Sequence, residues 1–184
     1  MTHYRRARAR GATYFFTVVA YDRRHIMTRT VFRRVLREAF LLTRSERPFE
    51  TVGLVLLPDH LHCLWQLPEG DADFGTRWRL AKTRVTQALR TAGWQVVSPT
   101  ASRRRSNEQN VWHRRFWEHL VRDDRDFARH LDYIHYNPVK HGYVKRPIEW
   151  PFSTFHRYVR QGWYAKDWGV VTPESIAGWE ATGE

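Results

Sequence analysis

Two histidines, His60 and His62, lie two residues apart between two apolar stretches, residues 52–57 and 63–65. Apolar runs of this length are typical of buried β-strands, on which alternate side chains project to the same face with α-carbons about 6.5 Å apart. Two neutral imidazoles at that spacing can bind one metal ion. The alternative is a structural role, in which one histidine is hydrogen-bonded inside the fold and the other is hydrated.

A second candidate group lies about seventy residues further along the chain, on a predicted helix. Tyr133 and Asn137 are four residues apart and therefore share one helix face. If that face looks at the histidine strand, the amide oxygen of Asn137 can be a third metal ligand and the phenol of Tyr133 lies beside the ion. Simple packing of Tyr133, and selection of Asn137 as the residue before Pro138, are the structural alternatives. Tyr136 is a competing nucleophile, but it lies about 100° around the helix from Asn137.

This combination of residues indicates transfer of a DNA phosphate. A tyrosine phenol has a pKa of about 10 in water, and a nearby cation favours the phenolate, which can attack phosphorus. The attack forms a covalent 5′-phosphotyrosine and releases a 3′-hydroxyl. Because the new linkage conserves the bond energy, a second 3′-hydroxyl can reverse the step and rejoin strands. The metal would polarise a phosphate oxygen as a Lewis acid.

The elements that must position these residues follow the order strand, helix, strand, strand, helix, strand, helix. Runs of β-branched and aromatic residues predict the strands, and apolar residues at helical spacing predict the helices. The predicted strands are residues 13–21, 49–57, 60–67 and 111–121, and the predicted helices are residues 30–44, 71–93 and a third from a cap at Asp123 or Asp124 to Asn137.

Three shorter stretches complete this prediction. Pro58 and Asp59 are expected to connect the second and third strands as a tight hairpin. Pro138 is expected to end the third helix, because proline lacks the N–H that the next hydrogen bond needs. Trp150-Pro151-Phe152-Ser153 is expected to open a further short helix.

This element order predicts an α+β fold of the ferredoxin-like or RRM-like type. The expected architecture is an antiparallel sheet of four to five strands with helices on one face, which would leave the other face free for nucleic acid. Residues 1–166 are predicted to form a single domain with a basic N-terminal arm at residues 1–10. Residues 167–184 are predicted to form an acidic C-terminal tail.

The charge is unevenly distributed along the 184 residues. The chain has 31 Lys and Arg against 19 Asp and Glu, a net charge of +12. Residues 167–184 contain four acidic residues and no Lys or Arg, so removing those four negative charges leaves +16 on residues 1–166. A domain this basic usually binds a polyanion, and nucleic acid is favoured over an anionic membrane because no long basic amphipathic helix stands out. The acidic tail could then fold over the DNA cleft as a competitor.

Several basic and aromatic side chains are candidates for contact with nucleic acid, since arginine reads phosphates and base edges and tyrosine stacks on bases. A plain solvated surface is the alternative for each. The candidates are Tyr4, Arg5, Arg6, Arg8, Arg10, Arg77, Lys82, Arg103, Arg104, Arg105 and Lys140.

Cysteine content and hydropathy bear on the possible cross-links and the cellular compartment of the protein. Cys63 is the single cysteine, so neither an intramolecular disulfide nor a thiolate zinc cluster can form. The N-terminus lacks the apolar core of a signal peptide, and no apolar run approaches the roughly 18 residues that a membrane span needs. These features predict a cytoplasmic, nucleoid-associated protein.

Four stretches together resemble the REP-associated tyrosine transposases, members of the HUH endonuclease superfamily that act at repetitive extragenic palindromic (REP) sequences. Residues 58–62 (PDHLH) resemble the His-hydrophobic-His motif of the superfamily, and residues 132–142 (DYIHYNPVKHG) resemble the tyrosine helix of this branch. Residues 115–119 (RFWEH) and 150–156 (WPFSTFH) are similar to further family stretches. The resemblance spans roughly residues 4–168.

The resemblance implies a single-strand DNA endonuclease and strand transferase that uses Mg²⁺ or Mn²⁺. It assigns the metal ligands to His60, His62 and Asn137 and the nucleophile to Tyr133. Imidazole ligands suit Mn²⁺ better than Mg²⁺. The implied partner is a REP hairpin with a short single-stranded guide tetranucleotide, which the N-terminal arm would contact, and the implied state is a monomer. The stretch 101–110 is long for the family, so its role does not carry over.

Two other functions fit part of the pattern. A non-catalytic regulator of palindromic repeats would keep the basic surface without the chemistry, and would bind nucleic acid in a salt-sensitive way without cutting it. A metal-dependent ribonuclease with a similar fold is the other alternative, and it would cleave an RNA hairpin but not a DNA hairpin of the same sequence.

Overall fold

The computed structural model describes residues 8–94, 101, 105 and 109–179. Predicted strands and helices are present in the predicted order, with boundaries that differ by a few residues. The strands are β1 Thr13–Val19, β2 Glu50–Leu56, β3 His60–Gln66 and β4 Trp117–Leu120. The helices are α1 Thr30–Glu46, α2 Phe74–Thr91, α3 Asp124–Lys140 and α4 Phe155–Arg160.

The four strands form one sheet in the order β2-β3-β1-β4, and every neighbouring pair is antiparallel. β2 and β3 form the predicted hairpin across Pro58-Asp59, closed by a 2.8 Å hydrogen bond from the Leu57 N–H to the His60 carbonyl. Placing β1 between β3 and β4 is the ferredoxin-like strand order, so the predicted α+β fold class is confirmed.

The first sheet face is covered by α1 and α2, as predicted. Alternate β1 residues Tyr14, Phe16 and Val18 project to this face and are fully buried with side chains from both helices. The stacked pair Trp65 and Trp78, with ring centroids 4.2 Å apart, joins β3 to α2. Large aromatic rings thus fix the spacing between the sheet and this helix layer.

The second sheet face is not free, which corrects one part of the prediction. Helix α3 packs on it, and Leu131 and Ile134 share a buried cluster with Phe15 and Leu64 of the sheet. The reason lies in the strands, which bury apolar side chains on both faces and therefore need cover on both. α3 lies so close that a Cβ added to Gly53 of β2 would stand 2.9 Å from Leu131 Cδ1.

Both ends of α3 are fixed by local hydrogen bonds. Asp123 is the N-cap, and its side chain accepts a 2.8 Å hydrogen bond from the Asp126 N–H. The predicted stop at Pro138 is wrong, because losing one N–H near the end of a helix removes only one bond and the helix continues to Lys140. Gly142, at φ +71°, ends it in a Schellman motif.

The fourth strand is shorter than the predicted 111–121. β4 spans only Trp117–Leu120, and Trp112 makes an isolated bridge with Ala20. The apolar residues Val111 and Trp112 are buried against the first sheet face without extending the ladder, so burial rather than strand pairing explains their composition.

Within the described part of the chain, the longest apolar stretches lie in strands and amphipathic helices. None of the helices there is long and apolar enough to cross a membrane.

One histidine of α3 belongs to the packing of the fold. His135 is fully buried among the rings of Phe155, Tyr158 and Tyr164. Its Nε2 lies 3.0 Å from Thr154 Oγ1, and burial lowers the pKa of His135 from 6.5 to about 3. The imidazole is therefore neutral in the folded protein at neutral pH and in mild acid.

We predict that His135 makes the protein sensitive to mild acid. Below about pH 6.5 the unfolded chain binds a proton at this residue that the folded chain does not, so the free energy of unfolding falls as the pH falls. The slope from this residue is up to about 1.4 kcal/mol per pH unit. Urea unfolding of wild type and His135→Phe at about pH 7, 6 and 5 measures it. Wild type should lose stability faster than the variant, and parallel curves would contradict the assignment.

Candidate active site

His60 and His62 lie on β3 and project to the face that α3 covers. Both are buried, and their ring centroids are 4.8 Å apart with planes 80° from each other. The prediction that the pair shares one face of a strand is confirmed by this geometry. Two imidazoles at this distance can direct nitrogen lone pairs at one ion.

The orientation of His60 is set by Asp59, the residue before it. Nδ1 of His60 lies 2.7 Å from Asp59 Oδ1, and because a carboxylate only accepts, Nδ1 donates its proton. Nε2 is then the nitrogen whose lone pair can bind a metal. A carboxylate behind a ligating histidine is the usual second partner in protein metal sites.

The Asp59 carboxylate is held ionised by two neighbours. Its burial alone would raise the pKa, but the hydrogen bond from His60, together with the hydrogen bond and charge of Arg23, outweighs burial and lowers the pKa of Asp59 from 3.8 to about 2. Arg23 Nη1 lies 3.1 Å from Asp59 Oδ2. Asp22 and Arg23 have positive φ angles of 55° and 45°, so a turn in an uncommon backbone conformation brings this guanidinium to the carboxylate.

His62 is oriented by the neighbouring strand. Thr17 of β1 is its partner in the ladder, and Thr17 Oγ1 lies 2.9 Å from His62 Nδ1. The ring of Phe15 stacks on the imidazole at 5.3 Å between centroids and 20° between planes. The hydroxyl and the aromatic ring together restrict the rotation of His62.

Helix α3 brings Tyr133 against His62, and Asn137 lies one turn further along the same helix. The Tyr133 ring is 5.3 Å from the His62 ring, and Tyr133 and Asn137 are both almost fully buried on one stripe of the helix. Nζ of Lys140, one more turn along, donates a 3.1 Å hydrogen bond to Tyr133 Oη. Tyr136 points elsewhere, since its hydroxyl lies 2.9 Å from Thr172 Oγ1. The geometry thus favours Tyr133 over Tyr136 as the nucleophile.

These donors fit a divalent metal. Two imidazoles and a neutral amide oxygen, with one imidazole backed by a carboxylate, are a ligand set that Mn²⁺ or Mg²⁺ can use while keeping open coordination positions. His141 adds a further imidazole at the exposed rim, with its ring centroid 5.3 Å from that of His60.

Three neighbours of the site were not identified from the sequence. Asp59 could have been, because it directly precedes His60 and carboxylates commonly support metal-binding histidines. Thr17 could not, because its contact depends on the β1–β3 register. Trp179 lies 5.3 Å from the Tyr133 ring, at 89° between planes, and comes from a segment with no recognisable signal.

The described part of the predicted acidic tail packs on α3. Ser175 Oγ donates to Asp132 Oδ2 at 2.5 Å, and Arg129 Nε donates to the Ser175 carbonyl at 3.1 Å. The guanidinium of Arg129 also lies over the Trp179 ring. The segment therefore holds an indole against the candidate nucleophile, whereas the tail was predicted to act through its charge.

A second cluster of titratable groups lies at the start of α3. Ligand atoms of His119, Asp126 and His130 are within 4.8 Å of one another, close enough to hold an ion. The Asp126 carboxylate, however, already accepts from His119 at 2.7 Å and from the Arg122 N–H at 3.0 Å. Burial lowers the pKa of His130 from 6.5 to about 4. These bonds assign the cluster to anchoring the first turn of α3.

Five of the candidate nucleic-acid contacts are described and accessible to solvent to some extent. Arg8, Arg10, Arg105 and Lys140 are exposed, and Lys82 is half-buried with Nζ bonded to the His113 carbonyl at 2.9 Å. Five further candidates lie outside the described residues, namely Tyr4, Arg5, Arg6, Arg103 and Arg104.

The prediction for Arg77 is wrong, because its side chain faces inward. It is 1 % exposed, and its guanidinium is occupied by the Pro48 carbonyl, the Asp73 carbonyl and Asp71 Oδ2 at 2.7 to 3.2 Å. Helix α2 directs Arg77 toward the segment after α1 and the loop before α2, where its guanidinium donates to two backbone carbonyls and one carboxylate.

Lys82 belongs to a cationic groove on the opposite side of the sheet from α3. The groove, of about 350 Å³, runs between α2 and residues 109–116. Its basic side chains are Arg79, Lys82, Arg90 and Arg114, and no acidic residue lines it among those described. This groove is a positive surface in addition to the exposed N-terminal residues Arg8 and Arg10.

The chain is similar to REP-associated tyrosine transposases in both sequence and structure. It is 43% identical over 178 residues to the REP-associated tyrosine transposase of Escherichia coli strain K12, covering 97% of each chain. It is 46% identical over 169 residues to a Haemophilus influenzae protein with the same family designation, covering 92% of this chain and 94% of the other. No family model matches. A solved structure of a REP-associated tyrosine transposase bound to a REP hairpin has a TM-score of 0.76 and 41% identity, covering 95% of this chain and 96% of that one.

Proposed function

The chain belongs to the REP-associated tyrosine transposases, and from that premise we propose that it cuts and rejoins single-stranded DNA at REP hairpins through a metal-dependent 5′-phosphotyrosine intermediate. It is an enzyme of the tyrosine transposase type. The observation that carries the proposed mechanism is the contact between Tyr133 and His62, which joins the nucleophile helix to the histidine strand.

The proposed metal ligands are His60, His62 and Asn137. When bound, Mn²⁺ or Mg²⁺ would supply Lewis-acid polarisation of the scissile phosphate. The Asp59 carboxylate supports this role because it accepts a hydrogen bond from the His60 Nδ1–H. The proton therefore stays on Nδ1, and Nε2 is left as the ligand atom. Thr17 and Phe15 restrict the rotation of the His62 ring, so the side chain loses little conformational freedom when an ion and DNA bind.

Tyr133 is the proposed nucleophile. Its oxygen forms a bond to phosphorus, and the bond from phosphorus to the 3′-oxygen breaks. The same atoms reverse the step when a second 3′-hydroxyl attacks the phosphotyrosine. The position of Tyr133 on a helix that is capped at both ends supports the precise approach that such in-line displacement needs.

The proposed DNA partner is a REP hairpin with a short single-stranded guide, bound by a monomer. The related structure with a REP hairpin supports the hairpin part of this proposal. Exposed Arg8 and Arg10 suit a guide-binding arm, and the groove containing Lys82 suits the phosphate backbone of a hairpin stem.

We predict that Tyr133→Phe abolishes the protein–DNA adduct and leaves DNA affinity within about twofold of wild type, since one hydroxyl is lost without a charge. Labelled single-stranded REP DNA is incubated with Mn²⁺, Mg²⁺ or EDTA and resolved on a denaturing gel. Tyr136→Phe is the matched control and should keep the adduct. Tight binding without any adduct in wild type would instead favour the non-catalytic regulator.

A further prediction concerns the carboxylate behind His60. Asp59→Asn should weaken Mn²⁺ binding by about 10-fold to 100-fold, because an amide no longer fixes the His60 tautomer. Isothermal titration of the metal-free protein with Mn²⁺ measures the affinity without DNA. Asp22→Asn, at an exposed carboxylate in the nearby turn, should bind Mn²⁺ like wild type. Equal affinities for all three proteins would remove Asp59 from the site.

The contact of Trp179 with Tyr133 predicts a restraint on cleavage. Trp179→Ala should raise the rate of adduct formation, because the indole no longer occupies the space beside the nucleophile ring. The rate is measured under single-turnover conditions with excess protein. Trp163→Ala, at an exposed tryptophan on the C-terminal side of α4, should leave the rate unchanged. A rate that is equal or lower in Trp179→Ala would show that the indole supports the site instead.

A further inference from the structure

The side chain of Lys140 ends at the nucleophile rather than in solvent. Lys140 is an exposed residue, yet its Nζ lies 3.1 Å from Tyr133 Oη and 4.9 Å from the centroid of the Tyr133 ring. A lysine ammonium has three donors and no acceptor, so the phenolic oxygen is the acceptor of this bond.

The helix explains why the two groups meet. Tyr133 and Lys140 are seven residues apart, about two turns, so they lie on one stripe with Asn137 between them. Side chains on a helix lean toward its N-terminus, which directs the long lysine chain back along the stripe. The Schellman bonds at Gly142 and Tyr143 fix the last turn, so the backbone that carries Lys140 is held in place.

We propose that Lys140 is a catalytic residue, whose ammonium donates a hydrogen bond to the Tyr133 oxygen and stabilises the negative charge on it during attack on, and departure from, phosphorus. The inference rests on the proposed function and adds a residue to it. A donor aimed in advance at an oxygen that gains charge is among the largest contributions to catalysis. A hydrogen bond from a cation is also about twice as strong as a neutral one.

The step balances with Lys140 protonated throughout. In cleavage the phenol proton passes to water, the bond from Tyr133 Oη to phosphorus forms, the bond to the 3′-oxygen breaks, and that oxygen takes a proton from water. In rejoining, a 3′-hydroxyl loses its proton to water and attacks, and Oη leaves with the negative charge that the ammonium offsets. Lys140 therefore contributes a hydrogen bond and a charge, and transfers no proton.

This role differs from the phosphate contact predicted from the sequence. A lysine that only binds a DNA phosphate changes affinity and its salt dependence. A lysine that stabilises the nucleophile changes the rate at saturating DNA. The two roles are therefore separated by measuring the dissociation constant and the saturated rate on the same variant.

The test uses Lys140→Met, Lys140→Arg and the matched control Lys145→Met, which removes another exposed lysine beyond the end of α3. The probe is single-stranded DNA that carries a REP hairpin and the scissile phosphate, with Mn²⁺. Lys140→Met should lower the saturated rate of adduct formation by about 100-fold and change the dissociation constant by less than about threefold. Lys140→Arg should recover part of the rate, and Lys145→Met should match wild type.

A second substrate identifies the oxygen on which Lys140 acts. With sulfur replacing the bridging 3′-oxygen, the leaving group no longer needs stabilisation, whereas the tyrosine still does. Lys140→Met should be slowed by the same factor on both substrates. A defect that disappears with the sulfur substrate would assign Lys140 to the leaving group and overturn the inference.

Two further outcomes are distinguishable. Weaker binding with an unchanged saturated rate would make Lys140 a phosphate contact and overturn the inference alone. A wild-type protein that forms no adduct, or a Tyr133→Phe variant that keeps it, would overturn the proposed function and this inference with it. Thermal unfolding of each variant verifies that an altered rate does not come from an unfolded protein.

Discussion

The close packing of α3 on the second face of the sheet is the constraint on which the rest of the site depends. Leu131 and Ile134 bury their side chains against Phe15 and Leu64, and the absence of a side chain at Gly53 permits the approach. This apolar contact sets the height of α3 above β3. Tyr133 then lies against His62 because the neighbouring positions on its helix are already fixed. Hydrophobic burial therefore provides the precise positioning that the proposed chemistry requires.

The buried side chains of Asp59, His60 and His62, which lie under α3, each have a hydrogen-bond partner. A buried carboxylate is costly unless paired, and Asp59 has both His60 and Arg23 within hydrogen-bonding distance. The turn that carries Arg23 adopts positive φ angles, a cost of the kind that is commonly found near functional sites. Thr17, on the adjacent strand, is the hydrogen-bond partner of His62. Removing one partner would leave a buried polar group unsatisfied, which links stability of the fold to orientation of the proposed ligands.

Much of the fold, and the side chains that the candidate site brings together, could be predicted from the sequence. Apolar runs and helical spacing identified the strands and helices in their correct order, because these patterns are local. The two-residue spacing of His60 and His62 and the four-residue spacing of Tyr133 and Asn137 fixed which side chains share a face, since strand and helix periods are nearly invariant. The family motifs in the same stretches supported the same residues.

Tertiary structure alone decided how these pieces meet. Burial on both faces of the sheet placed α3 over the histidines, and the same demand for burial turned Arg77 inward to satisfy carbonyls. The β1–β3 register brought Thr17 to His62, and the path of the C-terminal segment brought Trp179 to Tyr133. The sequence by itself determined each element and the face on which its chemical groups lie, because those depend on near neighbours. Contacts between distant segments depend on the packing of the whole chain, which no local pattern encodes.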